Sequence, residues 1–229
     1  RNDSKKIKNV TGHNIFLFPS LAPDENKFSP VGSLGNIMGI DEAGRGPLAG
    51  PVVVAGVKIA LRSKNEKLRI WEGIRDSKQL SAKQREEWFV RLTSHPKITW
   101  ATAIVSPGVI DRINIYRAAQ RGARRVYQKL APDCSAHALL DGSLHLPARI
   151  SQETIIKGDE FIPLISAASI IAKVTRDRLM IKLHKKYPQY RFDLHKGYGT
   201  ALHRKMLVHY GACPIHRASF NFKHQENSA

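Results

Sequence analysis

The sequence predicts an α/β fold in which helices pack on a mixed sheet. Three observations lead there. Apolar runs at 37–40 and, rich in valine, at 51–60 read as early strands, and helical and strand-like segments alternate after them. Three times over, an apolar run gives way to a carboxylate: Asp41 with Glu42, then Asp141, then Asp159. A chain of 229 residues with 42% hydrophobic content suffices for one well-buried domain with appendages, and hardly for two.

Residues 1–35 are polar, lack periodicity and are broken by Pro19, Pro23 and Pro30, so they read as an extension, partly ordered or flexible. Within it the patch 15–18 is apolar enough to dock on the body. Ile37, Met38 and Ile40 read as a strand that ends at Asp41, hairpin-paired with the buried strand over 51–60. Ser81, with Gln84 three residues on, forms a capping box that opens a helix through about Ser94. Residues 99–105 alternate like a strand, and Pro107 opens a helical region running to about Leu130. Short strands follow over 138–140, ending at Asp141, and over 154–157. A long helix runs from Ile165 to about Lys186, with Ala167, Ile170, Ile171, Val174 and Ile181 along one face, and Pro188 stops it. Residues 200–210 form a last helix before a basic tail. The chain thus divides into the extension 1–35, a main domain 36–186 and a C-terminal helical region 187–229, without internal repeats.

Thirty-seven basic against nineteen acidic residues give a formal charge of +18. That excess calls for a polyanionic partner, nucleic acid before an anionic membrane surface. No run approaches the roughly eighteen apolar residues of a membrane span. No charged-then-apolar secretion signal opens the sequence, which gives a cytoplasmic expectation. Cys134 and Cys213 form no CxxC or CxxH pattern, fit a reducing compartment and exclude a cysteine-rich zinc site. Arg117, Arg121, Arg124 and Arg125 form a stripe for duplex backbone contact, while Ile115, Ala119, Val126 and Leu130 point inward. Basic residues crowd again from Lys185 to Lys223, Arg204 and Arg217 among them. Six of the ten histidines lie beyond Lys182 too and are read as phosphate-facing or surface residues.

Strand termini on one edge of a sheet converge, so the recurrent acids are expected to share a site. Several carboxylates in one place repel one another, and divalent cations let them stay ionised together. Oxygen-only ligation points to magnesium or manganese rather than zinc. Asp177 is a rival ligand, but its place four residues after Lys173 is the spacing of a helical ion pair. The glycines at 44, 46 and 50 do not make a dinucleotide fingerprint, because three residues separate the second from the third and a strand follows. A turn whose amides face a nucleic-acid backbone or ribose fits better.

The motifs GIDEAGRGPLAGPVVVAGV at 39–57, DSKQLS at 76–81, DGSLHLP at 141–147, KGDEFIPLISAASIIAKVTRDR at 157–178 and HKGYGT at 195–200 together resemble ribonuclease HII. They run in that family's order over roughly 37–220. The resemblance implies an RNase H-like fold with a mixed central sheet flanked by helices. It implies cutting of RNA in RNA/DNA hybrids, and of duplex DNA on the 5′ side of an embedded ribonucleotide. It assigns catalysis and metal binding to Asp41, Glu42, Asp141 and Asp159, with two Mg2+ or Mn2+ ions. It gives reading of the ribose 2′-hydroxyl to Gly44, Arg45 and Gly46, sugar packing at the RNA-to-DNA junction to Tyr198, and phosphate contact to Ser77 and Lys78. A monomer without an obligate protein partner is expected. Two other readings stand beside it: another nuclease of the same superfamily, such as a junction resolvase, and a non-catalytic nucleic-acid-binding module. The Gly-Arg-Gly turn with HKGYG weighs against the first, and the full set of acids against the second.

Overall fold

The computed structural model describes residues 35–60 and 69–220. The apolar patch at 15–18 and Lys223 lie outside them. Five strands form one mixed sheet: β1 (Asn36–Ala43), β2 (Val52–Ala60), β3 (Ile98–Val105), β4 (Ala136–Asp141) and β5 (Gln152–Ile155), in the spatial order β3-β2-β1-β4-β5. The β1–β2 and β2–β3 pairs are antiparallel, whereas β4 runs parallel to both β1 and β5. The helices are α1 (Ala82–Thr93), α2 (Pro107–Ile113), α3 (Ile115–Leu130), the single turn α4 (Gly158–Phe161), α5 (Pro163–Lys186), α6 (Phe192–His195) and α7 (Ala201–Tyr210). This is the α/β architecture expected of the sequence. Among the described residues no helix is long and apolar enough to cross a membrane.

Each sheet face has its own helical layer, because alternate side chains of a strand point to opposite faces. Ala55, Val57, Ile59 and Leu139 meet the buried apolar side of α5 and Leu92 of α1. Met38, Ile40, Val54, Ala138 and Leu140 meet Ala119, Ala123 and Val126 of α3. On the first face α5 lies close against β1. A methyl group placed on Gly39 would stand 2.4 Å from the backbone oxygen of Leu164, so only glycine fits there. A third cluster joins Ala49 to Met180, Tyr190 and Phe192, and seats the C-terminal helices on the end of α5.

Several boundaries differ from the sequence reading. β1 does not stop at Asp41, since pairing with β2 continues to Ala43 opposite Val53. The helical region after Pro107 breaks at Asn114, whose φ of 64° ends α2 and whose side chain accepts a hydrogen bond from Arg117 N at 3.0 Å to cap α3. β5 lies two residues earlier than expected, because Lys157, at φ 57°, already turns the chain into α4. Ile181 is exposed, not on the inward face of α5. Beyond Ala172 the buried line continues through Arg176 and Met180 at four-residue spacing, so an arginine takes the inward place. The capping box at Ser81 forms as read, with Gln84 N donating to the Ser81 hydroxyl at 3.2 Å and Ser81 N donating to Gln84 Oε1 at 2.9 Å.

Candidate active site

The parallel pairing of β1 and β4 builds the site. Ile40 lies opposite Leu140, so Asp41 and Asp141, each one residue further on, leave adjacent strands at the same level. Both project toward the α5 face, where the small residues at the start of that helix leave room for them. Asp159 arrives from the other side of this space, on α4, and its amide donates to Asp141 Oδ1 at 3.3 Å. A carboxylate oxygen from each of Asp41, Asp141 and Asp159 lies within 4.8 Å of the others. Asp177 does not join them: its carboxylate accepts from Lys173 Nζ at 3.0 Å, the helical ion pair that the spacing favoured.

Two of these three acids are costly to ionise. Burial, then Glu42 and then Asp141 hold Asp41 well above the ordinary carboxylate range. Burial also raises Asp141, with Asp159 adding to it. Glu42 is raised by burial, against the opposing pull of Arg45. Partial relief comes from protein donors. Lys78 Nζ sits 2.7 Å from Asp159 Oδ2, an exposed ammonium whose own pKa that contact raises. Ser169 of α5 hydrogen-bonds Asp41, and its hydroxyl lies 2.8 Å from that of Ser77.

Glu42 leaves the strand on the opposite face from Asp41, as neighbours in a strand must, and does not join the three gathered aspartates, although its charge is felt by Asp41 and it feels that of Asp141. Its Oε1 accepts from Arg45 NH1 at 3.2 Å, while its Oε2 is buried with no hydrogen-bond partner. Three crowded aspartates, with a buried, unpartnered carboxylate oxygen on the residue after Asp41, make a donor set suited to a hard divalent cation. The residues present therefore fit such a metal.

The turn 44–46 is tied to this cluster. Arg45 NH1 also donates to Ser143 Oγ at 2.9 Å, linking the turn to the loop after Asp141. Gly44 has a φ of 98°, and a methyl group there would fall 2.1 Å from Arg176 Nε. At Gly46 a methyl group would meet nothing within 4 Å, so nothing in the protein itself requires glycine there. Tyr198 is 41% exposed, with Lys173 Nζ 5.5 Å and the Arg176 guanidinium 5.6 Å from its ring centre.

The family model for Ribonuclease HII matches residues 38–223. The chain belongs to the ribonuclease HII family. It is 48% identical over 189 residues to a ribonuclease HII of Xanthomonas campestris pv. campestris (strain 8004), covering 80% of this chain and 74% of that one. A ribonuclease HII of Chlamydia trachomatis serovar L2 is 44% identical over 213 residues, covering 92% of this chain and 93% of its own. Among solved structures, the complex of PCNA with the RNase HII of Archaeoglobus fulgidus superposes with a TM-score of 0.67 at 27% identity, over 82% of this chain and 96% of that one. Ribonuclease HII membership makes the chain a metal-dependent endoribonuclease with ribonuclease H activity.

Within this ribonuclease HII some expectations need correction. The Ser77 side chain is buried with its hydroxyl taken up by Ser169, so that hydroxyl does not face outward, whereas the Lys78 side chain is exposed with its ammonium on Asp159. Arg217 is fully buried and so stands apart from the phosphate-facing basic crowd. His195, His203 and His216 are core residues and not surface ones. Their hydrogen bonds need neutral rings: Cys213 N donates to His216 Nδ1 at 2.9 Å, the two Nε2 atoms of His216 and His203 lie 3.0 Å apart, and His203 Nδ1 lies 2.9 Å from Tyr198 O. A carbonyl only accepts, so His203 carries its proton on Nδ1 and His216 carries its own on Nε2. Sequence reasoning missed Arg176, Ser169 and this histidine relay. The one signal for Arg176 was its position four residues after Ala172 on a helix whose first half is apolar throughout.

Proposed function

We propose that this ribonuclease HII hydrolyses the RNA strand of RNA/DNA hybrids and cuts duplex DNA on the 5′ side of a single embedded ribonucleotide, leaving 3′-hydroxyl and 5′-phosphate ends. The observation that carries the reading is the position of the three aspartates beside a turn whose Gly46 opens to solvent without any steric need for glycine from the protein. Only a 2′-hydroxyl distinguishes RNA from DNA at a given sugar, and a turn without side chains lets backbone groups approach it. Asp41, Asp141 and Asp159, with Glu42 completing the set, would hold two divalent cations, Mg2+ or Mn2+. Cations held there would supply activation of a water and stabilisation of the leaving oxygen. The chain's own residues do the rest. Lys78 faces the scissile phosphate, and Tyr198 packs on the sugar beyond the junction. Such an activity belongs to ribonucleotide removal during DNA replication and repair, in the cytoplasm, where two free cysteines are at home.

The test uses a DNA duplex with one ribonucleotide, a uniform RNA/DNA hybrid and an all-DNA duplex, each with magnesium, manganese or EDTA. The expected result is cutting of the first two with either metal, none with EDTA, and none of the all-DNA control. Equal cutting of the control would overturn the substrate assignment.

A further inference from the structure

The segment 44–51 joins β1 to β2 without regular structure, yet two buried arginines fix it from below. Arg176 of α5 donates from Nε to Pro51 O at 3.0 Å and from NH2 to Ala49 O at 3.1 Å. Arg217, from the far end of the chain, donates to Gly50 O at 3.0 Å, Arg45 O at 2.8 Å and Gly44 O at 2.6 Å. Backbone bonds tie the same segment to the C-terminal region: Leu48 N to Gly197 O at 2.9 Å, Gly50 N to Ile215 O at 2.8 Å, and Arg217 N to Leu48 O at 2.9 Å. Both side chains have no exposed surface, so neither touches a phosphate despite the charge of the molecule. Arg176 also lies under the ring of Tyr198, whose neighbour Gly197 is the acceptor for Leu48.

We infer that Arg176 and Arg217 are positioning residues that set the separation and orientation of the Gly44–Gly46 turn relative to Tyr198, and so the preference for a ribonucleotide followed by DNA. A planar guanidinium satisfies two or three fixed carbonyls at once, and an ammonium does not. Replacing either arginine by lysine keeps the charge and loses the fork. The inference rests on the reading that the turn and Tyr198 contact the ribose and the sugar after it. A uniform hybrid carries a 2′-hydroxyl on every sugar of the cut strand and offers no RNA-to-DNA step, so it is the reference substrate.

The experiment measures kcat/KM of wild type, Arg176→Lys, Arg217→Lys and Tyr198→Ala on the single-ribonucleotide duplex and on the uniform hybrid. A misplacement of about 1 Å costs on the order of 100-fold in rate. The expected result is that the ratio of junction to hybrid cutting falls about 10-fold or more in each arginine variant, while the Mn2+-induced rise in melting temperature is kept. The two arginines come from different elements, so either variant serves if the other does not fold. An equal loss on both substrates would show a general structural role and overturn the inference. An unchanged ratio in the arginine variants with a fallen ratio in Tyr198→Ala would also overturn it. An unchanged ratio in all three variants would overturn the underlying reading of Tyr198, and the inference with it.

Discussion

Asp41 and Asp141 carry opposite consequences for stability and for activity. Each is raised above its ordinary range by burial and by the other acids, so at neutral pH without a cation their ionisation opposes folding. Asp141→Asn keeps an oxygen to accept from the Asp159 amide and removes one charge from the cluster. It is expected to raise the melting temperature in EDTA and to lower kcat by more than about 1,000-fold, on the order of 4 kcal/mol of transition-state stabilisation. Added Mn2+ should raise the melting temperature of wild type, because the cation binds only the folded state, and should raise that of the variant far less. Thermal denaturation with and without metal, beside a cleavage assay, checks both. These two acids were legible in the sequence because an apolar strand followed by a carboxylate is a local pattern. Arg176, Arg217 and the buried histidines were not. A charged or basic residue in a basic chain reads as surface, and only carbonyls brought from distant segments make its burial affordable.

At the scale of elements, the approach of α5 to β1 is set by one missing side chain. Gly39→Ala puts a methyl group into the Leu164 backbone, and backbone cannot turn aside as a long side chain does. A loss of about 1–3 kcal/mol in unfolding free energy is expected, with a larger fall in activity, because Asp41 is displaced along with the strand. The C-terminal helices answer to pH. Burial pushes His203 down to about 4 and lowers His195 and His216 as well. An unfolded histidine titrates near its ordinary value of 6.5. The unfolded state therefore binds the extra proton first, and stability is full above about pH 6.5 and lost progressively as pH falls toward 4. For one such group the slope is at most about 1.4 kcal/mol per pH unit. Denaturant unfolding across this range measures it, and a flat profile would place these rings in contact with water. The helices themselves were largely readable, the capping box at Ser81 above all. The break at Asn114 was not, since a left-handed asparagine is a choice between two adjacent helices that periodicity does not record.

Across the whole molecule, charge and fold divide the work. Arg117, Arg121, Arg124 and Arg125 are all exposed along α3, on the sheet face opposite α5. Under the proposed function they supply long-range attraction to a duplex and no choice of sugar. Reversing Arg121 and Arg124 to glutamate should weaken binding of every duplex alike. The slope of log affinity against log salt should become shallower by about 1 for each phosphate that no longer has a cationic partner. Titrations at several salt concentrations on hybrid, junction and all-DNA duplexes check this, and a loss confined to one substrate would refute it. The general outline, a basic α/β fold with recurrent acids after apolar runs, is legible in composition and apolar pattern; that it is a nuclease needed the motifs. The division between binding surface and buried support does not, because both are written in arginine.

The bond from Arg217 to Gly44 spans nearly the whole described chain. On a ribosome, Gly44 and Arg45 are among the earliest of these residues to emerge, and the side chain that holds their carbonyls is among the last. The three aspartates are all made long before it. A growing chain that has reached the end of α5 thus holds all three aspartates but not yet the arginine that pins the 44–51 segment, and the final stretch of synthesis supplies that brace.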